Sequence, residues 1–316
     1  MSFVSTAVQR VLEEGQFCAV AAPTPNGPHC TPLVFAYSGA RIWLTTSRRS
    51  VKARAWRVDP STAGLIRDGD LSVAFTGTVK TYDALDKRTW GAAVAGATSI
   101  ARATAGFSRK NARFFAGYAF DARQVPFAWT PPGRVFVGID LERTALLDDD
   151  GVQEGRGRWG AEEAASHGTF RRSSTGADPL GVLPDDVVSQ IGREGSGALA
   201  VAGEWGPTVL PIRWRAEANT LYAALPAQTL AIAAADPDAT VALTVDSPSA
   251  WRARDMVGAM FQGVAESFVE GNVGSGAKTM RAILQDLAPS ADALVRITPR
   301  RVVWWKGWTS GSTNAG

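Results

Sequence analysis

A basic segment near the N-terminal third of the chain is the part of the sequence best suited to bind an anion. Five basic residues fall within ten positions: Arg48, Arg49, Lys52, Arg54 and Arg57. No Asp or Glu occurs between positions 14 and 59 to neutralise them. Hydroxyl groups precede or interleave these residues at Thr45, Thr46, Ser47 and Ser50. Because arginine donates forked hydrogen bonds to phosphate oxygens and lysine adds a mobile charge, the segment predicts a site for one phosphate. A solvated basic helix face is the alternative.

Short apolar, β-branched runs flank the basic segment. They are separated by Gly, Pro and Asn, which is typical of antiparallel strands joined by tight turns. The runs in the first half are 17–22, 29–37, 41–47, 71–83 and 135–147. Residues 85–125 are instead Ala-rich with aromatic residues at helical spacing, so they predict a helical insertion. This insertion could form a lid or pocket wall, or pack against the rest of the protein.

The chain of 316 residues is long enough for two domains, and the second half repeats the first. The Gly-Pro pair at 27–28 recurs at 206–207, and the Asp-Pro pair at 59–60 recurs at 236–237, with similar strand and turn patterns between them. Such ordered matches indicate an internal duplication.

The predicted division follows from composition. Residues 1–150 form the first domain, and 151–185, which are rich in Asp, Gly, Glu, Arg and Ser, form a linker. Residues 186–309 form the second domain and 310–316 a flexible tail. The second copy of the basic segment, 223–237, contains no Lys or Arg, so only the first copy can hold a phosphate in this way.

Four features of the first copy carry a family resemblance. They are a hydrophobic strand with Trp43-Leu44, the pair Thr46-Ser47, the run Ser50-Val51-Lys52-Ala53-Arg54, and Asp59-Pro60. In this order they resemble the FMN-binding split-barrel superfamily of pyridoxamine 5′-phosphate oxidase-like proteins, which includes deazaflavin (F420)-dependent reductases and some haem-handling members. The resemblance covers most of 6–83 and, more weakly, 187–308. Members commonly carry Asn after the arginine, where this chain has Ala55.

The resemblance implies a mainly β fold with added helices, in which two split β-barrel domains in tandem form an intrachain pseudo-dimer. The cofactor would lie between the barrels, with FMN as the first choice, F420 as the alternative and haem ranked below both. Thr46, Ser50, Lys52 and either Arg48 or Arg54 would contact its phosphate or ribityl chain. The strand residues beside its ring would be Pro32, Leu33 and Val34. We include the neighbouring hydroxyls of Thr45 and Ser47 in this predicted site.

Tryptophans are concentrated on the last strand of the second copy, at Trp304, Trp305 and Trp308. Large flat side chains could stack on a flavin ring or a substrate. They could equally pack on the barrel or on its partner. Both interpretations remain open from the sequence, and we include Trp304 and Trp305 among the candidate cofactor contacts.

The sequence offers little support for a metal site or for a nucleophilic catalytic motif. The only histidines are His29 and His167, and the two cysteines, Cys18 and Cys30, have no metal-ligand spacing. We therefore predict no metal site and two buried free thiols. No Gly-x-Ser-x-Gly or Walker motif occurs, so no catalytic side chain is assigned.

Composition limits the partners. A net charge of +3 is too small to predict nucleic-acid binding, and no apolar run reaches the roughly 18–20 residues of a membrane span. We expect a cytoplasmic protein with a small-molecule substrate, either a monomer or a further homo-oligomer. The leading hypothesis is an oxidoreductase that uses FMN or F420 to transfer a hydride. The alternatives are a cofactor- or haem-binding protein without turnover, and a silent structural domain.

Overall fold

The fold is seen in a computed structural model that describes residues 4–121, 123–126, 130, 133–160, 162–172, 177–249 and 251–315. The first half forms a seven-stranded antiparallel sheet in the order β3-β2-β1-β4-β5-β6-β7. Its strands are β1 (Phe17–Ala22), β2 (His29–Ser38), β3 (Arg41–Ser47), β4 (Ser61–Asp68), β5 (Leu71–Tyr82), β6 (Arg134–Asp148) and β7 (Gly151–Arg156). Pairing of β3 with β6 closes the first six strands into a barrel.

The second half repeats this topology, with the order β10-β9-β8-β11-β12-β13-β14 and closure through β10 and β13. Its strands are β8 (Glu194–Gly203), β9 (Gly206–Glu217), β10 (Thr220–Leu225), β11 (Thr240–Ser247), β12 (Val257–Val269), β13 (Ala293–Lys306) and β14 (Thr309–Asn314). The register is also repeated, because Pro32 lies opposite Ala19 and Pro211 lies opposite Ala198. The predicted fold class, two β-barrels in tandem, is confirmed.

Helices cap and link the barrels. They are α1 (Thr6–Glu14), α2 (Val51–Ala55), α3 (Trp90–Ala95), α4 (Ala97–Lys110), α5 (Ala112–Phe120), α6 (Asp185–Ile191), α7 (Ala227–Ala231) and α8 (Ala277–Leu287). Helices α3 to α5 lie within the predicted insertion at 85–125, of which residue 122 falls outside the described residues. Among the described residues, no helix is both long and apolar enough to cross a bilayer.

The two barrels share one apolar interface. Ala21, Cys30 and Leu65 of the first barrel belong to the same buried cluster as Leu243 and Met260 of the second. Hydrogen bonds add direction to this packing. The Thr244 hydroxyl donates to the Cys30 carbonyl oxygen at 2.9 Å, and the Gln262 amide donates to the carbonyl oxygens of residues 27 and 28. The barrels therefore form a pseudo-dimer within one chain.

Two predicted irregular segments are partly strands, which corrects the sequence interpretation. The predicted linker begins with β7, which pairs with β6, and the predicted flexible tail at 310–316 is the strand β14 as far as Asn314. Glycines with positive φ lie where these strands begin: Gly151, at +124°, is the first residue of β7, and Gly307, at +54°, lies in the turn before β14. Both strands are polar and largely exposed, so backbone pairing rather than apolar periodicity defines them.

We predict that the Thr244→Val substitution weakens the interface, because the fully buried Cys30 carbonyl loses its side-chain donor. The free energy of unfolding should fall by about 1–3 kcal/mol, measured from urea denaturation. The control is Thr313→Val on the exposed strand β14, which should change stability by less than about 0.5 kcal/mol. Equal effects of the two substitutions would show that the buried hydrogen bond does not stabilise the pairing.

Candidate functional site

The end of β3 brings two hydroxyl groups together at the start of α2. The chain turns after Ser47, and the Ser50 hydroxyl accepts a hydrogen bond from the Ala53 N–H at 3.1 Å, which caps the helix. Thr46 faces the barrel interior, and its Oγ1 lies 3.0 Å from Ser50 Oγ. Three of the predicted site residues, Thr46, Ser50 and Lys52, therefore lie on the segment that runs from the end of β3 into α2.

Lys52 points into the protein rather than into solvent. Its side chain is 3% exposed, and Nζ donates a hydrogen bond to Thr31 Oγ1 on the neighbouring strand β2. Burial lowers the pKa of Lys52 to about 8, because the charged form loses its hydration. Within the described ranges, no carboxylate lies at ion-pair distance from this ammonium.

The other titratable groups around Lys52 do not supply a counter-charge at neutral pH. Burial raises the pKa of Cys30 to about 11 and that of Cys18 well above its usual value, so both thiols stay protonated. Burial, followed by the charges of Lys52 and Arg301, lowers the pKa of His29 to about 3. Lys52 is therefore a buried cation among neutral groups.

The rest of the basic segment does not converge on one point. Arg48 forms an ion pair with the buried Asp83 at 2.6 Å, and Arg57 reaches the other oxygen of Asp83 at 4.0 Å. Arg49 and Arg54 are exposed. Asp83, immediately after β5, binds Arg48 in this structure, and the contact of Arg48 or Arg54 with a cofactor phosphate or ribityl chain stays a prediction.

Arg134 is a basic residue near the site that the sequence analysis missed. It is largely buried, and its guanidinium donates to Thr45 Oγ1 at 2.9 Å and to the Thr45 carbonyl oxygen at 2.7 Å. Burial lowers its pKa. Its position follows from the register of β3 and β6, in which Ser47 lies opposite Arg134. Thr45 faces outward because alternate residues of a strand point to opposite faces, so Thr45 and Thr46 serve different surfaces.

The three predicted ring-contact residues on β2 lie in different surroundings. Leu33 packs against the core of the first barrel, whereas Pro32 lines a cavity of 360 Å³ between the barrels. Val34 is buried beneath Phe107 and Phe114 of the insertion. Strand alternation separates Leu33 from the other two, and the insertion covers Val34.

The inter-barrel cavity combines apolar walls with ionisable side chains, which are Arg67 and the carboxylates of Glu14, Asp68 and Asp246. Phe17, Pro32 and Leu65 provide apolar surface, while Arg67 and Asp246 provide a donor and an acceptor. Burial raises the pKa of Asp246 to about 6, an effect that the nearby Arg67 opposes. Lys52 donates to Thr31, and the next residue, Pro32, lines this cavity, so the buried lysine and the cavity lie at the two faces of the same segment of β2.

The insertion is held against the second half of the chain. Arg254 forms an ion pair with the buried Asp121 at 3.1 Å, immediately after α5. A side chain at Gly117 would meet the Trp251 carbonyl oxygen at 2.3 Å, so α5 approaches this segment closely. Tyr118 packs edge-on against Trp308, with their ring centres 5.3 Å apart.

Trp304 and Trp305 pack on glycines of neighbouring strands. The Trp304 ring lies over Gly311 of β14, and the Trp305 ring lies over Gly258 of β12, where a Cβ would come within 2.7 and 2.4 Å respectively. The buried Trp305 Nε1 has no hydrogen-bond partner among the described residues. Both rings are partly buried and pack on the barrel, and their contact with a cofactor stays a prediction.

Three potential metal ligands meet outside this region. The ligand atoms of His167, Asp238 and Glu266 lie within 4.8 Å of one another. Arg296 already binds both oxygens of Glu266, at 2.8 and 2.6 Å, and His167 Nε2 lies 3.0 Å from Asp238. Since the guanidinium neutralises one carboxylate, this group has the properties of an ion-pair network rather than a cation site.

We predict that the stability of the protein increases with pH between about 8 and 10.4 through Lys52. In that interval the unfolded chain retains the lysine proton that the folded protein has lost, so deprotonation favours the folded state. The free energy of unfolding can be measured by urea denaturation for the wild-type protein and for Lys52→Met. As pH rises through this interval, the wild type should gain about 2–3 kcal/mol relative to the variant. Parallel pH profiles would contradict the burial of a charged Lys52.

Comparison with known proteins gives similarity in structure alone. No protein-family model matches this sequence, and no curated protein matches it either. A FAD-binding protein from Mesorhizobium loti is 19% identical, covers 45% of this chain and 94% of its own length, and has a TM-score of 0.34. General Stress Protein 26 from Bacillus anthracis is 12% identical and covers 48% and 95%, with a TM-score of 0.32.

A third solved structure is a pyridoxamine 5′-phosphate oxidase-related, FMN-binding protein from Nostoc punctiforme. It is 15% identical, covers 49% of this chain and 90% of its own length, and has a TM-score of 0.34. Each of these proteins therefore matches about half of this chain. The assignment of two tandem barrels rests on the repeated strand order and on the closure of each sheet.

Proposed function

We propose that the protein binds a phosphorylated flavin-type cofactor, FMN or F420, and acts as an oxidoreductase on a small molecule. The observation that carries this proposal is the buried Lys52 ammonium, which has a hydroxyl partner but no counter-ion among the described residues. A buried charge is stable only when it is paired, so a ligand phosphate is a suitable partner. Thr31, Thr46 and Ser50 offer hydroxyl groups to the same ligand.

The inter-barrel cavity is the proposed place for the ring of the cofactor. Its apolar walls suit a flat heterocycle, and Arg67 and Asp246 can donate to and accept from polar atoms at the ring edge. Pro32 would lie beside the ring, while the insertion over Val34 would close the neighbouring end of the site. When bound, the cofactor supplies hydride transfer, and the protein contributes binding, orientation and charge.

A cofactor-binding protein without turnover is the second candidate. It is favoured by the insertion, whose aromatic side chains cover the Val34 face where a substrate would otherwise approach. Hydride transfer to an added acceptor, measured after reduction of the bound cofactor, separates the two candidates. Stable reduced cofactor in the presence of diverse acceptors would favour the binding protein.

We predict that Lys52→Met weakens FMN or F420 binding by about 10- to 100-fold, the effect of losing a charged hydrogen bond to phosphate. Methionine keeps most of the apolar stem and removes the ammonium group, with its charge and its hydrogen-bond donors. Arg49→Met is the matched control, because Arg49 lies in the same basic segment but is exposed and is not a predicted cofactor contact. The affinity of this variant should stay within about threefold of that of the wild type. Fluorescence titration with each cofactor measures both. Equal losses in the two variants would exclude Lys52 as the specific anchor.

The proposed role of the insertion as a pocket wall can be tested through Arg254. Arg254→Met removes the partner of Asp121, so amide hydrogen exchange should become faster in α5 and cofactor affinity should fall about three- to tenfold. Arg300→Met, an exposed residue of β13, is the control and should change neither quantity. If faster exchange in α5 accompanies tighter cofactor binding, the insertion competes with the cofactor and is not a wall of its site.

A further inference from the structure

A second cavity lies inside the second barrel, away from the proposed cofactor site. Its volume is 570 Å³, within the range of about 300–1,000 Å³ that is typical of small-molecule pockets. Most of the buried part of its wall is aliphatic and comes from four strands and from α7: Leu199, Val201, Leu230, Val241, Ala265 and Val295. Ser267 adds one buried hydroxyl. The cavity opens beside the alanine-rich segment that follows α7, at residues 231–235.

The two copies differ in the size of matching buried side chains. Trp56 follows the last residue of α2 in the first copy, and Ile232 holds the same place after α7 in the second. Trp56 is buried in the core of the first barrel. Val79 of the first copy and Ala265 of the second also correspond, because each lies two residues after the glycine of a β-bulge. Here too the second copy has the smaller side chain. Trp56 and Val79 of the first barrel therefore correspond to the smaller side chains of Ile232 and Ala265 in the second.

The mouth of the cavity is negatively charged. Glu163, Glu204 and Asp236 line its rim and are exposed. None of the three forms an ion pair with a residue in the part of the chain that the structure describes. An apolar interior with carboxylates at its entrance is complementary to a ligand that has a hydrocarbon body and a cationic end group.

We propose that the second barrel binds an apolar amine, with its hydrocarbon chain in the cavity and its ammonium group at the carboxylate rim. This function goes beyond the cofactor site of the first copy. The alanine-rich segment, in this interpretation, is the wall of a separate binding site rather than a degenerate phosphate loop.

The experiment measures displacement of the neutral fluorescent probe N-phenyl-1-naphthylamine by three ligands of equal chain length. We expect decylammonium to bind at least fivefold more tightly than decanol, and decanoate to bind most weakly. The double variant Glu204→Gln with Asp236→Asn should bring decylammonium to within about twofold of decanol and leave decanol unchanged. Neutralising Asp149 and Asp150, in the exposed turn before β7, should leave the wild-type order intact.

Filling the cavity tests the location. Ala235→Trp should reduce decylammonium binding at least tenfold, whereas Val58→Trp, at the corresponding exposed position of the first copy, should not. Ala165→Trp on the covering segment is the second filling variant if Ala235→Trp does not fold. Failure of the probe and all three ligands to bind the wild-type protein would overturn the proposal. So would equal binding by the filled and control variants, or a preference for decanoate.

Discussion

The placement of one charged side chain, the Lys52 ammonium inside the first barrel, is the constraint on which the proposed site depends. An ammonium removed from water is destabilising unless an anion or several hydrogen-bond acceptors replace its hydration. The described surroundings provide the hydroxyl of Thr31, two protonated thiols and a neutral imidazole. The pKa of Lys52 is lowered to about 8 because burial removes the hydration of the ammonium. A phosphate ligand would resolve it, since the phosphate brings the negative charge that the protein itself does not place there.

The pairing of the barrels gives this site its surroundings. Strand β2 carries Thr31 toward the barrel interior and Pro32 toward the second barrel, so one strand connects the buried lysine with the inter-barrel cavity. The insertion covers the next part of the same strand and is tied to the second half through Arg254 and Asp121. The two barrels share a strand order but differ in this region. The first copy keeps the basic segment, whereas the second replaces it with alanines and leaves an apolar cavity.

Much of the fold could be predicted from the sequence, because strand alternation and turn residues act locally. The runs at 17–22 and 41–47 coincide with β1 and β3, and the repeated Gly-Pro and Asp-Pro pairs indicated two barrels. Strands β7 and β14 were missed, since polar edge strands lack apolar periodicity. Lys52, Thr46 and Ser50 could be selected as candidates from their types and spacing. The pairing of Arg48 with Asp83 and of Arg134 with Thr45 could not be predicted, because each depends on the register between distant strands.

The most direct test of the account is an NMR titration of the Lys52 side chain in protein labelled with ¹³C and ¹⁵N at lysine, assigned by comparison with Lys52→Met. In the free protein the pKa of Lys52 should be about 8. Saturation with FMN or F420 should raise it to about 10 or above, because the phosphate stabilises the ammonium. A pKa that remains near 8 in the presence of bound cofactor would contradict the claim that Lys52 binds its phosphate.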